Sequence, residues 1–128
     1  MTIFLDNMIS PCFAEALRAL EQDVCALREK FPPDTLDTVW LTKLGERGWP
    51  LITLDRRILS RPQELLALRQ AGVTAFFLGP FFSKAAFWDQ AVWLLRHWPK
   101  FRDVTAALVK GACFTVQQNG KMTPRQLH

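Results

Sequence analysis

Short apolar runs alternate with longer stretches whose apolar residues recur at helical spacing, from one end of the chain to the other. Ile3-Phe4-Leu5 is an uninterrupted apolar run closed by Asp6, which suits a strand buried on both faces. Ser10-Pro11 then opens a helix, with Ser10 as N-cap and Pro11 in the first helical position. Phe13, Leu17 and Leu20 supply its apolar face. Val24-Cys25-Ala26-Leu27 reads as a second strand, and Pro32-Pro33 breaks the chain.

A second helix is expected from Asp34 as N-cap, with Leu36, Trp40, Leu41 and Leu44 on its apolar side and Gly45 and Gly48 ending it. Leu51-Ile52-Thr53-Leu54 is a third strand, again closed by an acid, Asp55. Arg61-Pro62 opens a third helix that Gly72 stops, and Thr74-Ala75-Phe76-Phe77-Leu78 is a fourth strand ended by Gly79-Pro80. Ser83 is expected to cap a fourth helix running to Trp98, because Pro99 disfavours its continuation; a short helix over 101–109 follows. Cys113-Phe114-Thr115-Val116 is the last predicted strand, Asn119-Gly120 signals a turn, and a flexible tail is expected over 123–128. Strands and amphipathic helices in this alternation predict a three-layer α/β/α sandwich with a mainly parallel central sheet, as a single domain over 1–122.

Composition agrees with a folded domain. Of 128 residues, 49% are hydrophobic and 22% charged, which excludes a predominantly disordered chain. No apolar run approaches the ~20 residues that a bilayer requires. The start of the chain meets Asp6 too early for a signal peptide and has no basic opening, so the expectation is a cytoplasmic protein. Cys12, Cys25 and Cys113 are odd in number and match no metal-ligand spacing, as for thiols in a reducing compartment. The formal charge of +4 mildly favours a polyanionic partner.

In open parallel sheets, ligands bind beyond the carboxyl ends of the strands. Asp6 and Asp55 follow the first and third strands directly, and Asp37 lies in the first turn of the helix that feeds the third strand. All three carboxylates therefore fall on one rim. Clustered carboxylates repel unless a cation is present, and oxygen donors suit Mg²⁺ or Mn²⁺ rather than zinc. Each acid also has a plainer role: Asp34 and Asp37 match a helix N-terminus, and an Asp after a strand is a common turn residue. Arg56 and Arg57 either pair with these acids or hold substrate phosphates. His97, alone on a Trp-rich helix, reads as a packing or surface residue. The aromatic residues from Phe87 to Trp98 spread around most of that helix, so Trp88 or Trp93 should stay partly exposed as a contact surface for a homodimer or another protein, unless the fold covers both sides.

The segment Phe4-Leu5-Asp6-Asn7, followed by Ser10-Pro11, resembles the opening of a PIN-like domain. The stronger match is the stretch Asp37-Thr38-Val39-Trp40-Leu41 together with Leu44-Gly45-Glu46-Arg47-Gly48-Trp49-Pro50-Leu51-Ile52-Thr53-Leu54-Asp55. It resembles that family's helix beginning with Asp, followed eighteen positions later by the acid of a strand-ending T-x-D. The order of elements is similar to the compact branch that includes VapC45-type toxins. The resemblance implies a Mg²⁺- or Mn²⁺-dependent ribonuclease acting on RNA, with Asp6, Asp37 and Asp55 as catalytic, metal-binding acids and a cognate antitoxin as partner. Longer relatives carry a further acid between the first strand and the helix that begins at Asp37; Glu29 is the nearest stand-in here. Many relatives also carry another acid after the T-x-D, where this chain has Arg56-Arg57-Ile58.

Two other functions compete. One is a non-catalytic RNA- or partner-binding module on the same scaffold, which a weak acidic site would favour. The other is a receiver domain, disfavoured because Asn7 follows Asp6, the fourth strand ends in Leu78-Gly79, and no Lys closes the last strand.

Overall fold

The computed structural model describes residues 1–108 and 111–126. Six strands form one sheet: β1 (Ile3–Leu5), β2 (Val24–Ala26), β3 (Leu51–Thr53), β4 (Ala75–Leu78), β5 (Cys113–Val116) and β6 (Met122–Arg125). Their spatial order is β2-β1-β3-β4-β5-β6. The first five run parallel, and β6 is antiparallel at the edge. The helices are α1 (Pro11–Ala19), α2 (Leu27–Lys30), α3 (Asp37–Arg47), α4 (Pro62–Ala71), α5 (Pro80–Lys84) and α6 (Phe87–Ala107), with a 3₁₀ turn at Arg56–Leu59.

Because alternate residues of a strand face opposite ways, the short apolar strands feed two cores. Ile3, Leu5, Ile52, Phe76 and Leu78 pack with Phe13 and Leu17 of α1, Phe82 of α5 and Leu94, Trp98 and Phe101 of α6. Phe4, Leu51, Ala75 and Phe77 pack on the opposite face with Trp40, Leu41 and Leu44 of α3 and Leu68 of α4. This is the expected α/β/α sandwich. Ser10 caps α1 as read, its hydroxyl accepting from the Cys12 N–H at 3.2 Å. Gly48 and Gly72 end α3 and α4 in the left-handed conformation, at φ of 67° and 68°.

Several local readings are corrected. Asp34 does not cap α3: the Thr35 N–H bonds to the Pro32 carbonyl at 3.0 Å, so Asp34 sits in a turn, and the helix starts at Asp37 after Leu36. Gly45 lies inside α3 rather than ending it. Ser83 is not an N-cap either, because Pro80 starts α5 three residues earlier and the Ser83 hydroxyl donates to the Pro80 carbonyl at 3.1 Å. Pro99 lies within α6, which runs unbroken past it to Ala107. A proline inside a helix costs roughly 3 kcal/mol, but Leu94, Trp98, Phe101 and Thr105 form one buried stripe that spans the proline. Pro99 itself faces solvent. Val109, the expected end of a separate short helix, lies outside the described residues.

The Asn119-Gly120 signal is a hairpin turn. Gly120 has φ of 88°, and β6 brings Thr123 to Arg125, read as tail, into pairing with β5. Pro124 is tolerated there because the strand is at the edge.

Gly45 is where α3 and α4 approach most closely. A Cβ at this position would lie 2.4 Å from the Ala71 carbonyl oxygen and 2.5 Å from its Cβ. Gly45→Ala is therefore expected to destabilise the fold by ~1–3 kcal/mol, despite the better helix propensity of Ala. A denaturant midpoint equal to or above wild type would refute the close approach.

Candidate functional site

In the order β2-β1-β3-β4-β5 the chain leaves β1 toward one face of the sheet, through α1, and leaves β3 toward the other, through α4. The carboxyl ends of β1 and β3 therefore flank a crevice at the topological switch point, the place where open parallel sheets bind ligands. The register decides what enters it. Phe4 pairs with Leu51 and Leu5 with Ile52, so the next residues, Asp6 and Thr53, come side by side on the α3/α4 face.

Asp6 is buried, with 4% exposure, and almost fully bonded. Its Oδ1 accepts from the Met8 N–H at 2.7 Å. Its Oδ2 accepts from the Leu54 N–H at 3.0 Å and from the Thr53 hydroxyl. The Asp6 N–H donates to the Ile52 carbonyl at 3.1 Å. Burial pushes the Asp6 carboxyl above its ordinary pKa; the Thr53, Met8 and Leu54 donors offset part of this, and the Asp55 charge adds to it.

Asp55 is tied to the same hydroxyl, since its N–H donates to Thr53 Oγ1 at 2.9 Å. Its carboxylate caps the 3₁₀ turn, accepting the Arg57 N–H at 3.1 Å and the Arg57 Nε at 2.9 Å on Oδ1. A longer contact of 3.5 Å joins Arg57 Nη2 to Oδ2. The pKa of the exposed Arg57 guanidinium is raised, first by the hydrogen bond it donates to Asp55 and then by the charges of Asp55 and Asp37.

The sheet thus brings Asp6 and Asp55 together around Thr53. Asp37 stands at the start of α3, half-buried, where its Oδ1 accepts from Trp40 Nε1 at 3.1 Å. The Arg56 side chain is exposed. Glu29 is engaged elsewhere: its Oε1 accepts from Arg18 Nη1 at 3.1 Å and from the Ala26 N–H at 3.2 Å, and its Oε2 lies 2.9 Å from Arg18 Nη1. A carboxylate three residues into a short helix folds back onto that helix's start, which turns Glu29 away from the rim.

Thr53 is the residue that the sequence reading passed over. The T-x-D pattern was its signal, since a hydroxyl can donate to one acid while accepting from the backbone of the other. Thr53→Val preserves shape but leaves the Asp55 N–H without its acceptor. A loss of ~1–3 kcal/mol is expected in chemical denaturation; an unchanged midpoint would show that Thr53 is not the link.

The donor set fits a hard divalent cation. Mg²⁺ is commonly held by one or two carboxylates, with water and substrate phosphate completing its shell, and Mn²⁺ accepts the same oxygens. Asp6 has three of about four acceptor positions filled, and Asp55 Oδ2 carries one long contact. Burial without a compensating positive charge holds the Asp6 pKa up, so a cation at this point would favour its ionised form. Among the described residues, no group of three or more His, Cys, Asp or Glu side chains is close enough to hold one ion. A protein-only cage is therefore absent there, and a two-carboxylate site open to water and phosphate is the arrangement that fits.

His97 has a packing role. It stacks on Trp93 at 4.4 Å, its Nδ1 lies 2.8 Å from the Trp93 carbonyl, and a Cβ on Gly120 would meet its Cδ2 at 2.6 Å. On the Trp-rich helix, Trp93 and Trp98 turn inward, while Phe87 and Trp88 remain exposed, Trp88 by 77%. The cysteines are all free thiols, and burial lifts Cys113 to a pKa of about 11. No helix among the described residues is long and apolar enough to cross a membrane.

Residues 1–80 match the family model described as a PIN like domain. No curated protein and no solved structure matches the chain. The family match runs from β1 through β4 and takes in Asp6, Asp37, Thr53 and Asp55, together with the switch-point crevice they border. With more than half of its length matched, this chain belongs to the PIN-like domain family, whose members are generally nucleases.

Proposed function

We propose that the protein is a Mg²⁺- or Mn²⁺-dependent endoribonuclease that hydrolyses RNA phosphodiester bonds at the carboxyl edge of β1 and β3. The observation that supports this most is the pairing of a buried Asp6 with Asp55 through one shared hydroxyl, Thr53. In this reading Asp6 and Asp55 hold the cation, and Asp37 adds negative charge from the start of α3. Thr53 and the Met8 and Leu54 amides fix the Asp6 carboxylate, so that its remaining acceptor capacity keeps one direction. Arg56 and Arg57, both exposed beside the pair, hold phosphates of the strand. A divalent ion bound there would supply an activated water and neutralise charge developing on the phosphate.

The resemblance to VapC45-type toxins supports a role as the toxin of a toxin–antitoxin pair, acting in the cytoplasm. The exposed Phe87 and Trp88 are the surface for an antitoxin or a second copy. A second reading, an RNA-binding module without catalysis, draws on the Arg57 side chain lying on Asp55 and on the lack, among the described residues, of a third acid, His or Cys close enough to share an ion. Incubation of the purified chain with labelled single-stranded RNA and Mn²⁺ separates the two. Cleavage within the strand is expected. RNA that stays bound and intact would establish the binding module instead.

A further inference from the structure

Arg57 meets Asp55 with both its backbone and its side chain. The backbone N–H caps the 3₁₀ turn, donating to Asp55 Oδ1 at 3.1 Å. The guanidinium adds Nε at 2.9 Å and Nη2 at 3.5 Å. The Asp55 side chain is only 16% exposed, whereas that of Arg57 is 65% exposed. The guanidinium therefore lies against a largely sheltered carboxylate while itself remaining open to solvent.

We infer that Arg57 is an exchangeable counter-ion: it covers Asp55 in the free protein and moves onto an RNA phosphate when a strand binds, which uncovers Asp55 for the cation. A guanidinium engages phosphate with the same planar fork that it offers a carboxylate. The guanidinium is largely exposed, which screens its attraction to Asp55, so a strand that brings a phosphate within reach can displace it. The exchange makes RNA and the cation cooperative, and by linkage each raises the affinity of the other by the same factor. It assigns Arg57 a positioning role that a plain phosphate contact would not have, and it rests on the reading of Asp55 as a cation ligand.

The test is Mn²⁺ binding to the full chain, followed by electron paramagnetic resonance, with and without a short 2′-O-methyl oligouridylate. Arg57→Ala is expected to bind Mn²⁺ about five-fold or more tightly than wild type when no oligonucleotide is present. The oligonucleotide should tighten Mn²⁺ binding in wild type and tighten it less in Arg57→Ala. Arg56→Ala removes the same charge from an adjacent position whose side chain has no ion pair among the described residues, and should give a clearly smaller change. Arg57→Ala binding no tighter than wild type, or matched by Arg56→Ala, overturns the exchange. Asp55→Asn separates the two levels. If it loses Mn²⁺ while Arg57→Ala behaves as wild type, the exchange alone is wrong. If it binds Mn²⁺ as wild type does, the assignment of Asp55 fails and the exchange fails with it.

Discussion

Asp6→Asn should lower RNA cleavage by roughly a thousand-fold or more while the protein stays folded. A cation at a phosphoryl centre supplies several kcal/mol of transition-state stabilisation, and each ~1.4 kcal/mol is tenfold in rate. Asn keeps the volume of Asp but loses the charge. It also turns an amide NH₂ toward a row of donors, the Met8 and Leu54 amides and the Thr53 hydroxyl. Thr53 can rotate, but a backbone N–H cannot, so one amide loses its partner. Against this, the substitution removes a carboxylate whose burial disfavours its charged form. The two effects on stability oppose each other, which is why the loss should be read in turnover and not in folding. Circular dichroism of the variant should retain the wild-type spectrum and a cooperative melt. Cleavage within tenfold of wild type would remove Asp6 from the site.

The largest loss of stability is expected from Phe76→Ala. Phe76 lies in the central strand β4, is fully buried, and touches Phe101 edge-on at 5.0 Å and Phe114 in a stack at 5.4 Å. It joins the sheet to the middle of α6, the helix that continues through Pro99. Truncation of a buried Phe costs ~3–5 kcal/mol, a large share of the ~5–15 kcal/mol that holds a typical domain together. The urea midpoint should fall accordingly, with Phe76→Leu in between. A loss under ~1 kcal/mol would mean that the core on the α6 side closes around the cavity.

The sandwich was legible because β1 to β5 are short, mostly apolar runs, three of them with an acid, a Gly or a Pro close by, as at Asp6, Pro50 and Gly79, and because Gly48 and Gly72 end their helices in the left-handed conformation. That Asp6 and Asp55 come near one Thr53 hydroxyl follows from the same pattern: Asp6 directly follows β1, and Asp55 stands two residues past the end of β3. Asp37 shared the rim in the sequence reading, and in the structure its carboxylate accepts from Trp40 Nε1 at the start of α3. What stayed hidden depends on contacts distant in sequence. Pro99 reads as a break until the stripe of Leu94, Trp98, Phe101 and Thr105 is seen buried against the sheet. β6 carries a Pro and faces solvent, so nothing apolar announces it; its pairing with β5 and the Gly120 turn create it. Glu29 and Arg57 both lie near acids or bases in sequence, but side-chain direction decides their partners, and spacing alone cannot say that one turns to Arg18 and the other to Asp55.

The proposed joint action of Asp6 and Asp55 on RNA runs through a divalent cation. It is tested most directly by following single-stranded RNA cleavage by the purified chain in Mg²⁺, then in excess EDTA, then with Mg²⁺ restored, beside an Asp6→Asn/Asp55→Asn double variant. Cleavage that stops in EDTA, returns with Mg²⁺ and is absent from the double variant throughout is the predicted result; cleavage that continues in EDTA, or that survives in the double variant, would contradict it.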